Sequence, residues 1–175
     1  MPQVQLLPYQ SSFLNAFIAW RNERLSVQHN PLKSMSRDEI VAMLESEGSS
    51  LMDLTKYASY RWFITLASEV VGSVSLKNIS HSMGYAEIGY GIGEQYQGKG
   101  IATAAVARLV SRIFRETSLR KLTALVHDEN RGSRRVLEKL GFRPEGLLRE
   151  HYLINGSPVD EVFYGLLKQE WSRLE

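Results

Sequence analysis

Apolar residues change their spacing along the chain. Phe13, Phe17 and Trp20 recur at helical intervals, and the aliphatic stem of Arg24 extends the same stripe. Ser11 and Ser12 stand where a helix N-cap is expected. Ser36-Arg37-Asp38-Glu39 has the form of a capping box, in which a Ser hydroxyl and a Glu carboxylate each satisfy a backbone N–H of the other. Ile40, Met43 and Leu44 follow on one side, and Gly48-Ser49-Ser50 predicts the end of this second helix. The first third therefore reads as helical.

From Trp62 the pattern turns to strand. Trp62–Leu66 and Val70–Leu76 are β-rich runs joined at Ala67-Ser68-Glu69, which reads as a hairpin, and Tyr85–Ile92 makes a third run. An amphipathic helix is predicted from about Lys99 to Thr117, a strand over Leu122–His127 and a helix over Arg131–Leu140. Leu147–Ile154 and Val159–Leu167 flank Asn155-Gly156, a strong hairpin signal. The predicted order is α-α-β-β-β-α-β-α-β-β. It implies a mixed α/β (α+β) fold with a largely antiparallel sheet and one parallel crossover around the Lys99 helix. No Pro/Gly/Ser-rich linker or repeat divides the sequence, so residues 1–175 are expected to form a single domain.

Composition narrows the chemistry. With 43% apolar and 23% charged residues the chain is of ordinary globular type, not disordered or collagen-like. Cysteine is absent, which excludes thiol catalysis and Cys-ligated zinc or iron–sulfur centres, and no metal is expected. The N-terminus lacks the basic and apolar regions of a secretory signal and no apolar run approaches a membrane span, so a cytoplasmic location is expected. Charge is uneven. Residues 97–143 hold eleven Lys and Arg against four acids, so this stretch carries a net charge of +7 within a chain whose net charge is +2. That asymmetry points to an anion bound by one part and a cation tolerated by another. Without a basic block, zinc-finger spacing or an RNP pattern, nucleic acid is not an expected partner.

The most informative stretch is Gly89-Tyr90-Gly91-Ile92-Gly93-Glu94-Gln95-Tyr96-Gln97-Gly98-Lys99-Gly100-Ile101-Ala102, a strand, a glycine-rich turn and a helix start. Unpaired N–H groups and the positive end of the helix dipole make such a start an anion cradle, and glycines let a phosphate approach the backbone. A Walker A loop would need Ser or Thr where Gly100 stands. A dinucleotide fingerprint would need glycine where Thr103 stands. Gln97-Gly98-Lys99-Gly100-Ile101-Ala102 instead has the form Q/R-x-x-G-x-G/A. Here the sequence resembles the GNAT superfamily of acyl-coenzyme A N-acyltransferases. Asn130-Arg131-Gly132-Ser133, with Glu138-Lys139-Leu140-Gly141-Phe142 behind it, Ala86–Tyr90, and the Gly146, Leu153–Gly156 and Asp160 ending are similar to the RimJ/RimL-like branch. That branch includes acetyltransferases of ribosomal-protein N-termini, polyamines and other small amines.

The resemblance spans roughly Trp62–Leu167 and carries specific expectations. The fold would be GNAT-like, with helices on both faces of the sheet and a central parallel pair, Tyr85–Ile92 and Leu122–His127, splayed to hold acyl-coenzyme A. Backbone N–H groups of Gln97, Gly98, Lys99, Gly100, Ile101 and Ala102 would take the diphosphate, and Ile92 and Gly93 the pantetheine arm. Lys99, Arg134 and Arg135 are candidates for charge pairing. Asn130 and Ser133 would meet the cofactor, Ser133 as proton donor to the departing sulfur; helix capping by the same two residues is the competing role. Many relatives carry a tyrosine where this chain has Leu137, so their general acid is missing here. Glu87 is the candidate base, directly or through water, with His127 as the alternative; His29, His81 and His151 have no supporting context. Carbonyl polarisation would come from a backbone N–H at a bulge in Tyr85–Ile92. Leu140-Gly141-Phe142 would close a helix and bury Phe142.

The implied reaction is acetyl transfer from acetyl-coenzyme A to a primary amine, in a ternary complex because no cysteine can carry the acyl group. A non-catalytic acyl-coenzyme A sensor is the alternative. The acceptor is a small-molecule or peptide amine, a ribosomal protein among them, with Trp20, Trp62 and Tyr152 as lining candidates whose competing role is core packing. The protein is expected to be a monomer or homodimer with no membrane partner.

Overall fold

The computed structural model describes residues 2–30 and 32–171. Strand β1 (Gln5–Leu7) precedes a 3-10 turn at Ser11–Phe13 and helices α1 (Leu14–Arg21), α2 (Arg24–His29) and α3 (Arg37–Glu45). Strands β2 (Tyr60–Leu66), β3 (Glu69–Ser80) and β4 (Tyr85–Ile92) follow, then α4 (Ile101–Glu116), β5 (Lys121–His127) and α5 (Arg131–Lys139). The long hairpin β6 (Arg143–Ile154) and β7 (Ser157–Leu167) and a short α6 (Lys168–Trp171) complete it. One seven-stranded sheet results, in the order β1-β2-β3-β4-β5-β7-β6, parallel only between β4 and β5.

Local chemistry explains most of these elements. The Ser36 hydroxyl accepts from Glu39 N–H and the Glu39 carboxylate from Ser36 N–H, the expected capping box. Asn155 and Gly156 both have positive φ (51° and 79°), as a tight hairpin turn with right-handed twist requires. Gly141, at φ 82°, ends α5, and Phe142 behind it is buried.

Elsewhere the chain departs from the reading of its pattern. Strand β1 pairs with β2 inside the stretch read as helical; three residues are too few to show alternation. The first helix breaks at Glu23 (ψ 149°), so Arg24 opens α2 rather than extending α1. Neither Ser11 nor Ser12 caps α1, whose N-cap is Phe13. Strand β6 starts at Arg143, four residues before its predicted start, because an edge strand with bulges tolerates Pro144 and Gly146.

The two faces of the sheet differ in kind. Ala86, Ile88, Leu122, Ala124, Val126, Val162, Tyr164 and Leu166 pack with α4 residues such as Ala105, Leu109, Val110 and Ile113 in the larger core. On the opposite face Phe63 sits among Phe13, Phe17, Ile40 and Leu44, with the Phe13 and Phe17 ring centroids 5.3 and 5.7 Å away. Strand alternation places the buried polar residues Thr65, Ser73, Ser75, Glu87, Thr123, His127 and Glu161 on this second face. Burying seven such groups is costly without partners. Their concentration on one side marks where the fold accepts polarity.

Candidate active site

Strands β4 and β5 pair only at Tyr85↔Lys121, Ala86↔Leu122 and Glu87↔Thr123. Beyond that, β4 stays with β3 as far as Gly72↔Ile92, and β5 stays with β7 as far as His127↔Glu161. The sheet thus opens into a wedge between residues 88–92 and 124–127, the predicted splay. Main-chain groups along this inner edge of β4 can pair with an extended ligand as with another strand. The bulge expected in β4 lies instead in β3, between Lys77 and Ser80, where Asn78 adopts φ 50°. Asn tolerates that left-handed geometry better than most residues.

The glycine-rich turn stands at the mouth of the wedge. Ile92 ends β4, and Gly93 N–H donates to Val71 O at 3.0 Å. Trp20 packs on Gly93, where a Cβ would come within 2.7 Å of its Nε1. Gln97 closes the turn by donating from Nε2 to Ile92 O at 3.1 Å. Gly98 (φ 73°) and Gly100 (φ 75°) are both left-handed, and Gly100 is the N-cap of α4 with no side chain over the helix start. Residues 97–100 are exposed, so the first N–H groups of α4 face open space beside bare backbone. Lys99 reaches over the Tyr96 ring at 5.8 Å. Ile101 is buried in the core, so only its backbone is available to a ligand; Ala102 is partly exposed. Such a cradle fits a diphosphate. Arg134, by contrast, is committed to Asp128 (2.5 Å) and the Tyr164 hydroxyl (3.2 Å), while Arg135 is exposed.

Asn130 caps α5, its Oδ1 accepting from Ser133 N–H at 3.0 Å. That leaves the Ser133 hydroxyl to other partners. The Tyr90 hydroxyl, from β4, lies 2.7 Å from Ser133 Oγ and donates to Ser133 O at 2.9 Å. It therefore ties β4 to the first turn of α5 on the apolar side of the sheet. Burial pushes the Tyr90 phenol well above its ordinary value, against the opposing pull of the Ser133 hydrogen bond, so it stays protonated. Leu137 is fully buried. A tyrosine hydroxyl thus reaches this helix from β4, which sequence spacing along α5 could not show.

Glu87 is 8% exposed and lies on the polar face at the closed end of the wedge. Its Oε1 is 3.0 Å from Lys77 Nζ and its Oε2 accepts from Asn78 Nδ2 at 2.8 Å, so it is not a solvated surface carboxylate. Gly89 and Gly91 continue the same face without side chains, and a Cβ on Gly91 would meet nothing within 4 Å. His127 stands at the open end, about 13 Å further along at roughly 3.3 Å per residue. Its Nδ1 is 3.0 Å from His29 Nδ1, on the last residue of α2.

Helix α2 is held at both ends by polar contacts and buries none of its residues. At its start the Glu94 carboxylate accepts from Leu25 N–H (2.7 Å), and Glu94 N–H donates to the Glu23 carboxylate (2.8 Å). The helix, about 9 Å long at 1.5 Å per residue, thus runs between the glycine-rich turn and the end of β5. Of the aromatic lining candidates, Trp62 is buried in the larger core, Trp20 covers Gly93 and Tyr152 stacks on His151 at 4.6 Å. His81 is structural, contacting Leu54 O at 3.1 Å. His29 and His127 meet across 98 positions, a contact that no local spacing could show.

A family model described as an acetyltransferase (GNAT) domain matches residues 3–143. The chain belongs to the GNAT acetyltransferase family. It is 41% identical over 100 residues, 57% of this chain, to the putative ribosomal N-acetyltransferase YdaF of Bacillus subtilis, of whose length the match covers 55%. It spans little more than half of that curated relative. The structure resembles spermidine N-acetyltransferase from Vibrio cholerae in complex with CoA and spermine, with a TM-score of 0.83, 25% identity and 97% and 98% of the two chains covered. It also resembles Mycobacterium smegmatis RimJ in complex with CoA-disulfide, with a TM-score of 0.79, 27% identity and 97% and 84% covered. These likenesses place the chain in the RimJ/RimL-like branch. No helix among the described residues is long and apolar enough to cross a membrane, and no cluster among them could hold a metal ion.

Proposed function

We propose that the protein transfers an acetyl group from acetyl-coenzyme A to a primary amine, either the α-amine of a peptide or protein N-terminus or a small amine. The observation that carries this reading is the wedge: β4 and β5 part after three residue pairs while both outer neighbours stay paired, beside a helix start bared by Gly98 and Gly100. Acetyl-coenzyme A supplies an activated thioester. Backbone N–H groups of residues 97–102 take its diphosphate, the free edge of β4 through Ile92 and Gly93 takes its arm, and Asn130 lies beside it on α5.

The acceptor approaches from the polar face, over Gly89 and Gly91. A lysine-type amine has a pKa near 10.4 and an α-amine near 8, so either arrives largely as a cation. Glu87 and His127 flank this strip and share the tasks of drawing in that cation and removing its proton. Ser133 donates the proton taken up by the departing thiolate, and Tyr90, protonated and hydrogen-bonded to it, fixes its hydroxyl. With no cysteine, the amine attacks the thioester directly.

Relatives named for ribosomal proteins and for spermidine support both acceptor kinds. The experiment is thiol release from acetyl-coenzyme A with peptide N-termini, polyamines and aminoglycosides, repeated with Glu87→Gln and Ser133→Ala. Turnover with one class and its loss in both variants is expected. Binding of coenzyme A without turnover on any amine would instead make the protein a sensor.

A further inference from the structure

At the open end of the wedge, four titratable side chains cross the polar face from strand to strand. His29 on α2 meets His127 on β5, Nδ1 to Nδ1, at 3.0 Å. His127 is the direct cross-strand partner of Glu161 on β7. Side chains so paired share a face, with Cβ atoms about 5 Å apart. Glu161 is 6% exposed, and its Oε2 is 2.7 Å from Nδ1 of His151 on edge strand β6. The side chain of His151 is 39% exposed. Two nearly buried groups, His127 and Glu161, thus stand side by side between the acceptor strip and a part-exposed imidazole. A carboxylate this deep in a sheet needs a reason, and packing supplies none, because an apolar residue would cost less there.

We propose that His127 takes the acceptor's proton and that Glu161 and His151 pass it to bulk water, so that the row is the proton outlet of the acetyl-transfer reaction. The inference rests on the amine-acetylation reading. An ammonium acceptor gives one proton to His127, and the freed lone pair forms the C–N bond as the C–S bond breaks. The thiolate takes a proton from Ser133, which recovers one from the new amide nitrogen. One proton per turnover is left over, and the row carries it out. His29 Nδ1, on α2, lies against His127 Nδ1 at the inner end of the row. Of the charged groups near the row, Glu129 acts on His29, and Asp160, next to Glu161 in sequence, accepts from Glu150 N–H, next to His151.

Two measurements test it. In weak buffer, His151→Ala is expected to lower kcat about tenfold with coenzyme A binding intact, and added imidazole to restore it in proportion to its concentration. Full kcat in weak buffer, or a loss that imidazole does not restore, overturns the outlet. The second readout needs no turnover. In NMR spectra of the coenzyme A complex, Glu161→Gln should move the imidazole ring resonances of both His151 and His127. A shift confined to His151 breaks the row. Failure of the wild-type protein to acetylate any amine tells against the acetylation reading, whereas these two results tell against the row alone.

Discussion

The Tyr90 hydroxyl lies 2.7 Å from Ser133 Oγ, joining β4 to the first turn of α5 across the gap where the sheet divides. The pair sets the direction of the serine hydroxyl. Tyr90→Phe removes both hydrogen bonds of that hydroxyl to Ser133, each of a kind that typically contributes about 1 kcal/mol to stability. We expect a slightly lower denaturation midpoint, unchanged coenzyme A affinity, and a fall in kcat of about tenfold, equivalent to 1.4 kcal/mol in the barrier. Steady-state kinetics with the best amine check this; an unchanged kcat would show that Ser133 needs no orienting partner.

Gly100 stands at φ 75°, and a Cβ there would come no nearer than 3.7 Å to any neighbour. The cost of Gly100→Ala is therefore conformational, about 1 kcal/mol. The methyl would also cover the helix start. Calorimetry should find coenzyme A bound at least tenfold more weakly by Gly98→Ala and Gly100→Ala. Wild-type affinity in both would remove the backbone cradle from the mechanism.

Burial, and next the His127 ring, hold the His29 imidazole below its ordinary value, while Glu129 works the other way. The unfolded chain then binds more protons than the folded one as pH falls through the ordinary histidine value near 6.5. Stability contributed by neutral His29 is present above that value and is lost below it. Urea denaturation at pH 5.5 and 7.5 should show this slope in the wild type and a shallower one in His29→Asn. An identical slope in the variant would mean that His29 does not titrate against folding.

Arg61 grips Glu47 through two nitrogens, at 2.5 and 2.9 Å, and the Glu47 side chain is 8% exposed. Removing the guanidinium strands a buried carboxylate, which costs about 3 kcal/mol. Arg61→Leu should be destabilised by that order in chemical denaturation, and Arg61→Leu/Glu47→Leu should recover most of the loss. A double variant as unstable as the single one would place the cost in packing against Phe17 and not in charge.

Much of the architecture was legible because local rules write it: the Ser36 capping box, the Asn155-Gly156 turn and the glycines before α4 each satisfy a backbone requirement within a few residues. β1 was not, since a three-residue edge strand exists only through its partner. The exposed glycine turn before α4 and the Asn130 cap were legible for the same local reason. Tyr90, Glu161 and His151 were not. Tyr90 meets Ser133 across 43 positions and His29 meets His127 across 98, so only the folded sheet brings them together. That Glu87 shares a face with residues 89 and 91 follows from strand alternation. The burial of that face is set by the folded sheet, and the Glu87 partners Lys77 and Asn78 depend on a bulge in the neighbouring strand.

The segregation of buried polar groups to one side of the sheet has an evolutionary corollary. Thr65, Ser73 and Ser75 share a wall with Glu87 and His127, whereas the opposite wall is a continuous hydrocarbon layer. On the proposed reading the amine enters over this wall, and exchanges among these small hydroxyl residues would remodel which amine fits while leaving the main core alone. On that reading, substitutions on a single surface would carry the scaffold between acceptors as different as a peptide terminus and a polyamine.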